Sequence, residues 1–98
     1  MRIKEQYNFE NLVNEAERIV FEQLEEQLFS PEYENICKCQ DCVLDMAAFA
    51  LNSLTPWYRV SLMGTLYAHA IEETEYVNEV QKAVKNAIQK ISENPAHD

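Results

Sequence analysis

Three cysteines lie within six residues near the centre of this sequence, and they are the side chains best suited to chemistry. Cys37, Cys39 and Cys42 have the spacing C-x-C-x2-C, and the chain contains no other cysteine. Short-spaced thiolates are common ligands of tetrahedral zinc, whereas the first pair is too close in sequence for a comfortable disulfide. The spacing therefore predicts a zinc site at these three residues.

The local sequence supplies three ligands, whereas a closed structural zinc site needs four. Candidates for the fourth are Asp41, Asp45, His69, a water molecule or a residue of another subunit. His97, in the tail, is expected to be free. Two other interpretations of the cysteines stay open: unmetallated thiols beside a helix start, and redox chemistry of the C-x2-C pair.

Helices are the elements predicted to position these thiols. Apolar residues recur from Phe9 to Leu28 at the three-and-four spacing of an amphipathic helix. We expect Asn8 to cap this helix, and we expect it to end near Phe29, because Pro31 disfavours helical geometry in the preceding residue. The acidic side chains of the opposite face are expected to be solvated: Glu15, Glu22, Glu25 and Glu26.

A second helix is predicted from Asp41 or Cys42 to Leu54, directly after the cysteines. It is apolar on almost every side, which is typical of a helix that is buried on almost every side. In so small a chain this pattern indicates cover from a second subunit as well as from the chain itself.

Beyond Pro56, alternating side chains predict a short extended segment over residues 57–63, closed by Gly64. A single strand cannot satisfy its own backbone groups. We expect it to pair with the symmetry-related strand of another subunit or to be an irregular crossing.

The last helix is predicted to begin between Thr65 and Glu72 and to end before Pro95. A stripe with three-four-three-four spacing runs along it, and we expect the stripe to face the core, with a dimer seam as the competing interpretation. The stripe consists of Val77, Val80, Val84, Ala87 and Ile91.

Composition indicates one mainly α domain over residues 1–98: a small three-helix domain with a Cys-rich loop and a short extended segment. Apolar residues make up 47% of the 98 residues, and there are one glycine and three prolines, too few turn residues for a many-stranded sandwich. Residues 1–8 are expected to be a loose amino-terminal segment, and residues 94–98 a tail. Because so small a core is marginal, we expect a metal or a homodimeric partner to stabilise it.

The charge balance excludes several classes of function. A net charge of −9, from 17 acids and 8 bases, argues against general binding to nucleic acid. No apolar run is long enough to span a membrane, and no secretory signal is visible, so we expect a cytoplasmic protein. No HExxH motif, nucleophile elbow or glycine-rich phosphate loop is present, and we expect no enzymatic activity.

The segment CKCQDCVLDMAAFALNSLTPWYRV, followed by GTLYAHA and AIQKISENPAH, resembles the late competence development protein ComFB family. The resemblance covers roughly residues 8–97. The sequence departs from the family pattern at Thr55, where proline is frequent, and at Arg59, where an apolar residue is common. The motif residues are Cys37, Cys39, Cys42, Asp45, Ala48, Ala50, Leu51, Asn52, Leu54, Pro56, Tyr58, Gly64, Tyr67, Asn94, Pro95 and His97.

The resemblance implies a small, helical, homodimeric regulatory protein of the cytoplasm, linked to DNA-uptake competence or related surface behaviours. It also implies zinc at the cysteines, as in some members, and a cyclic dinucleotide ligand, as in some relatives.

A cyclic dinucleotide, c-di-GMP or c-di-AMP, needs cationic groups for its phosphates and flat rings for its bases. Trp57, Tyr58, Arg59 and Tyr67 provide both, and a two-fold dimer would present each of them twice to a two-fold ligand. The competing interpretation makes the aromatic residues part of the core or of an interface, with Arg59 solvated.

The alternative function is a zinc-stabilised adaptor in competence or motility with no small-molecule ligand. It would dock on an unknown downstream protein through exposed apolar side chains of the first long helix, such as Phe21 and Phe29.

Overall fold

The computed structural model describes residues 2–60 and 62–95, and for residues 62–73 it describes the backbone alone. Within these residues the chain forms helices joined by short connections and one small antiparallel ribbon, which confirms the predicted mainly α class. In chain order the elements are α1 (Ile3–Gln6), β1 (Val13–Asn14), α2 (Glu15–Leu28), α3 (Gln40–Asn52), β2 (Tyr58–Arg59) and α4 (Leu62–Glu93). A 3-10 turn at Pro31–Tyr33 follows α2.

The first long helix begins at Glu15, so the predicted start at Phe9 is wrong. The predicted cap, Asn8, instead accepts a hydrogen bond from the backbone N–H of Glu10 at 2.8 Å in a local turn. Asparagine serves a turn as readily as a helix cap, and the residues between Asn8 and Asn14 include the start of a strand. The predicted end near Phe29 is confirmed, because α2 ends at Leu28.

Asn14 is the cap of α2 and also joins the helix to β2. Its Oδ1 accepts a hydrogen bond from the backbone N–H of Ala16 at 3.1 Å and another from the backbone N–H of Trp57 at 2.8 Å. The backbone N–H of Glu15 donates back to the carbonyl oxygen of Trp57 at 2.7 Å. One side chain therefore sets the start of the helix and the position of the segment before β2.

The short strand after α3 pairs within its own chain. β1 and β2 are antiparallel, with Val13 opposite Arg59 and Asn14 opposite Tyr58. The predicted irregular crossing is therefore wrong, because β2 pairs with β1 along one edge. Pairing with the strand of another subunit stays a prediction for the second edge.

The helix α4 starts earlier than predicted. It begins at Leu62, and Gly64, which was expected to close an extended segment, lies inside it. The physical reason is the length of β1, because its two residues pair only two residues of β2 and leave residues 62–64 without a partner in that strand. The predicted end before Pro95 is confirmed, because α4 ends at Glu93.

The core lies where α2, α3 and α4 meet. The prediction that the stripe of α4 faces this core is confirmed: Val80, Val84 and Ala87 are buried, and Val77 and Ile91 pack against the cluster half-buried. The buried side chains of the other two helices are Ile19, Val20, Leu24 and Leu28 of α2 and Cys42, Met46, Ala47 and Ala50 of α3.

The helix α3 is not buried on almost every side within one chain. Leu44 is 56% exposed and Phe49 is 37% exposed. Because α2 and α4 cover one face of α3, its opposite face is left to solvent or to a partner.

No helix in the described part of the chain combines the length and the apolar character that a membrane crossing requires.

Candidate functional site

The structure brings the three cysteine side chains together. The Sγ atoms of Cys37, Cys39 and Cys42 all lie within 4.8 Å of one another. Two thiolates on one tetrahedral zinc ion, each bonded at about 2.3 Å, lie about 3.8 Å apart. A modest contraction of the cluster would therefore place all three sulfur atoms on one ion.

The start of α3 positions this thiol cluster. Cys39 is the N-cap of the helix, and its Sγ accepts a hydrogen bond from the backbone N–H of Cys42 at 3.4 Å. Cys42 is buried in the first turn, whereas Cys37 and Cys39 are exposed. Between them, the Nζ of Lys38 donates hydrogen bonds to the carbonyl oxygens of Tyr33 at 2.6 Å and Glu34 at 3.4 Å, which ties the cysteine loop to the 3-10 turn.

The thiols differ in how readily they ionise. A hydrogen bond from the backbone of Cys39 lowers the pKa of Cys37, with smaller contributions from the other two thiols and from the charge of Lys38. Burial raises the pKa of Cys42 to about 12, and hydrogen bonds with the other two thiols add to this shift. Cys37 therefore forms a thiolate more readily than Cys42, and a metal ion would have to displace a proton from Cys42.

Of the candidate fourth zinc ligands, the structure describes the two aspartate side chains but not the histidine side chain. Among the described residues, neither Asp41 nor Asp45 joins the thiol cluster. The side chain of His69 and the whole of His97 lie outside the described residues. Exposure of Cys37 and Cys39 leaves one side of the cluster open, where water or another chain could supply a ligand.

A second group of candidate residues lies around β2. Trp57 is half-buried and packs edge-on against Tyr76, with ring centroids 4.6 Å apart and an interplanar angle of 73°. The hydroxyl of Tyr76 donates a hydrogen bond to the carbonyl oxygen of Thr55 at 2.9 Å. Trp57 therefore packs against the core of its own chain. Tyr58 is 61% exposed, and the side chain of Tyr67 lies outside the described residues.

Arg59 contacts a buried carboxylate. Its Nε donates to Oε1 of Glu15, while the Nε of Arg18 donates to Oε2 of the same side chain at 2.9 Å. Glu15 is only 2% exposed, so the expectation that it belongs to a solvated face is wrong. Burial of this carboxylate is tolerated because two guanidinium groups bind it.

Three partners of the β2 segment were not predicted from the sequence: Glu15, Asn14 and Tyr76. A signal for Glu15 was present, since it lies four residues before Ile19 and therefore on the same helix face. No local signal pairs it with Arg59, which is 44 residues away in the sequence.

These features define a small helical protein with a thiol cluster at the start of a helix. The sequence profile of the late competence development protein ComFB matches residues 13–95. The chain therefore belongs to the ComFB family, a family of regulatory competence proteins.

A solved structure agrees with this assignment. The late competence protein ComFB from Bacillus subtilis is 26% identical to this chain and superposes with a TM-score of 0.66. The match covers 87% of this chain and 92% of the Bacillus protein. None of the curated proteins matches the sequence.

Proposed function

We propose that this chain is a dimeric regulatory protein that holds a structural zinc ion and senses a cyclic dinucleotide, c-di-GMP or c-di-AMP. Cys37, Cys39 and Cys42 would bind the metal, and residues around β2 would bind the ligand. The observation that carries the sensing function is the contact between Arg59 and the buried carboxylate of Glu15 beside an exposed tyrosine.

The thiol cluster supports the zinc ion. Three sulfur donors within 4.8 Å of one another suit a tetrahedral metal that prefers thiolate ligands. The ion would tie the cysteine loop to the first turn of α3, where Cys42 is part of the core. Its role would therefore be structural.

The geometry of Arg59 supports phosphate binding. Glu15 holds the Nε atom, which fixes the direction of the guanidinium group and lowers the entropy that a ligand contact would cost. A guanidinium group can still donate hydrogen bonds through its terminal nitrogens, in a geometry that suits phosphate oxygens. Tyr58 offers a ring face for base stacking. Trp57, which packs against the core, would hold the β2 segment in position.

A homodimer would complete this arrangement. The exposed apolar side chains of α3, Leu44 and Phe49, support a partner chain on that face. Two-fold symmetry would bring two copies of Tyr58 and Arg59 to one symmetric ligand.

Native mass spectrometry tests the metal and the dimer in one measurement. We expect protein purified without added metal to have the mass of a dimer that carries one zinc ion per chain. A mass of the bare monomer would contradict both parts, and a metal-free dimer would contradict the zinc ion alone.

A thermal shift assay tests the ligand. At ten times its dissociation constant, a cyclic dinucleotide stabilises the folded state by about 1.4 kcal/mol and raises the melting temperature by about 6–11 °C. We expect Tyr58→Ala to abolish this rise and to leave the melting temperature without ligand unchanged, because Tyr58 is 61% exposed. Tyr7→Ala is the matched control, since Tyr7 is 60% exposed and lies before β1. The absence of a rise with either dinucleotide would contradict the receptor function.

The second candidate function is an adaptor that docks on another protein. The exposure of two phenylalanines favours it: Phe21 of α2 is 52% exposed, and Phe29, which follows the last residue of α2, is 77% exposed. Aromatic side chains at this exposure are typical anchors of protein interfaces.

A further inference from the structure

An apolar groove lies on the outer side of α2, next to the thiol cluster. Its volume is about 320 Å³, and Leu24 and Leu28 line it together with the two exposed phenylalanines and Val43 of α3. A second depression of about 400 Å³ along the 3-10 turn shares Leu28 and Phe29 with the first, so the two meet at Phe29. The groove therefore continues from α2 toward the cysteine loop.

Acidic side chains alternate with the aromatic ones along this face. Glu17, Phe21, Glu25 and Phe29 follow one another at intervals of four residues, which places them in one row. Glu25 lines the groove itself. Among the described residues, neither Glu17 nor Glu25 has an ion-pair partner, so both carboxylates are available to a cation.

The basic side chains near the groove are already engaged. Arg18, the one base of α2, is bonded to Glu15 and Glu22. Lys38 lines both depressions and keeps its positive charge, although its Nζ is bonded to two backbone carbonyl oxygens. The lining also holds Glu25 and Glu34, so the groove is apolar at its floor and carries more acid than base along its edge.

We propose that this groove binds a basic amphipathic helix of a partner protein. Leucine-like side chains of such a helix would enter the groove between Phe21 and Phe29, as in other helix-in-groove complexes. Its lysine or arginine side chains would pair with Glu17 and Glu25, and arginine would also stack on the phenylalanine rings. A second copy of this chain that packed on the same face fits less well, because a two-fold contact would bring Glu17 and Glu25 against the same acids of the partner. The inference rests on the adaptor function given above as the second candidate.

Fluorescence anisotropy with two labelled synthetic helices tests this proposal. Both helices carry leucine on one face, and the opposite face carries lysine in one and glutamate in the other. We expect the full-length protein to bind the lysine helix at least about tenfold more tightly than the glutamate helix. We also expect Phe21→Ser/Phe29→Ser to weaken binding of the lysine helix at least about tenfold. Because both rings are exposed, circular dichroism should show an unchanged fold.

Two charge-matched double variants distinguish binding at the groove from general electrostatic attraction to an acidic protein. Glu17→Gln/Glu25→Gln removes two charges beside the groove, and Glu75→Gln/Glu79→Gln removes two from exposed positions of α4. We expect only the first pair to weaken binding substantially. Equal effects of the two pairs, or binding that survives Phe21→Ser/Phe29→Ser, would overturn the proposal.

The remaining outcomes assign the groove differently. If Phe21→Ser/Phe29→Ser converts a dimer into a monomer in native mass spectrometry, the groove belongs to a second copy and the proposal is wrong. If the lysine helix does not bind while the zinc content and the dinucleotide response are as expected, this inference fails alone, and the principal function stands.

Discussion

If the thiol cluster holds zinc as proposed, its removal with EDTA is expected to lower the melting temperature of this protein by about 11–22 °C. A metal held at a hundred times its dissociation constant stabilises the folded state by about 2.7 kcal/mol. Each kilocalorie per mole shifts the melting temperature of a domain of this size by about 4–8 °C. The effect is large because the loop that carries Cys37 and Cys39 would lose its link to the buried thiol of Cys42. Circular dichroism melts with EDTA, and then with excess zinc added back, measure the loss and its recovery.

Cys37→Ser separates loss of the metal from loss of packing. Cys37 is exposed, so in a metal-free protein its replacement should change the free energy of unfolding by no more than about 0.5 kcal/mol. If the thiols hold zinc, Cys37→Ser should be as unstable as the EDTA-treated protein, and EDTA should destabilise the variant no further. Cys42→Ser is no substitute, because it also changes a buried side chain. A wild-type melting curve that EDTA leaves unchanged, together with a stable Cys37→Ser variant, would remove zinc from the proposed function.

The long helices and the thiol cluster were predictable because their signals are local. Pro31 and Pro56 lie shortly after the ends of α2 and α3. The spacing of Val80, Val84 and Ala87 is that of one buried helix face. Thiols separated by one or two residues at the start of a helix lie close together in almost any conformation. For these features, residues that are close in the sequence are sufficient to predict the structure.

The start of α2 was not predictable because it depends on a distant segment. Asn8 and Asn14 are equally suitable as caps when the local sequence alone is considered. The choice of Asn14 also involves the backbone N–H of Trp57, which is 43 residues away. The burial of Glu15 depends in the same way on Arg59 across the ribbon. A carboxylate on an acidic helix is expected to be solvated unless a partner is known to be near.

The contact between Glu15 and Arg59 leads to the second large effect. Arg59→Ala is expected to lower the free energy of unfolding by about 2–3 kcal/mol, because it withdraws a charged hydrogen-bond donor from a buried carboxylate. The loss is smaller than that for an isolated buried pair, since Arg18 stays bonded to Glu15. Urea denaturation at neutral pH, followed by circular dichroism, measures it.

This expected instability changes how the ligand must be tested. If Arg59 holds β2 against α2, then Arg59→Ala removes the dinucleotide response even when the arginine never touches a phosphate. Tyr58→Ala is therefore the variant that tests the site, because the ring is exposed and its loss leaves the contact between Arg59 and Glu15 in place.

Arg2→Ala is the matched control for Arg59→Ala. Arg2 pairs with Glu5 at 3.8 Å, and both side chains are exposed, so its replacement should cost less than about 0.5 kcal/mol. The double variant Glu15→Gln/Arg59→Ala should be more stable than Arg59→Ala alone, because a neutral amide is less costly to bury than a carboxylate that has lost a partner. If Arg59→Ala proves as mild as Arg2→Ala, the carboxylate of Glu15 does not need the second guanidinium group. Replacement of Arg59 would then be a clean test of the ligand site.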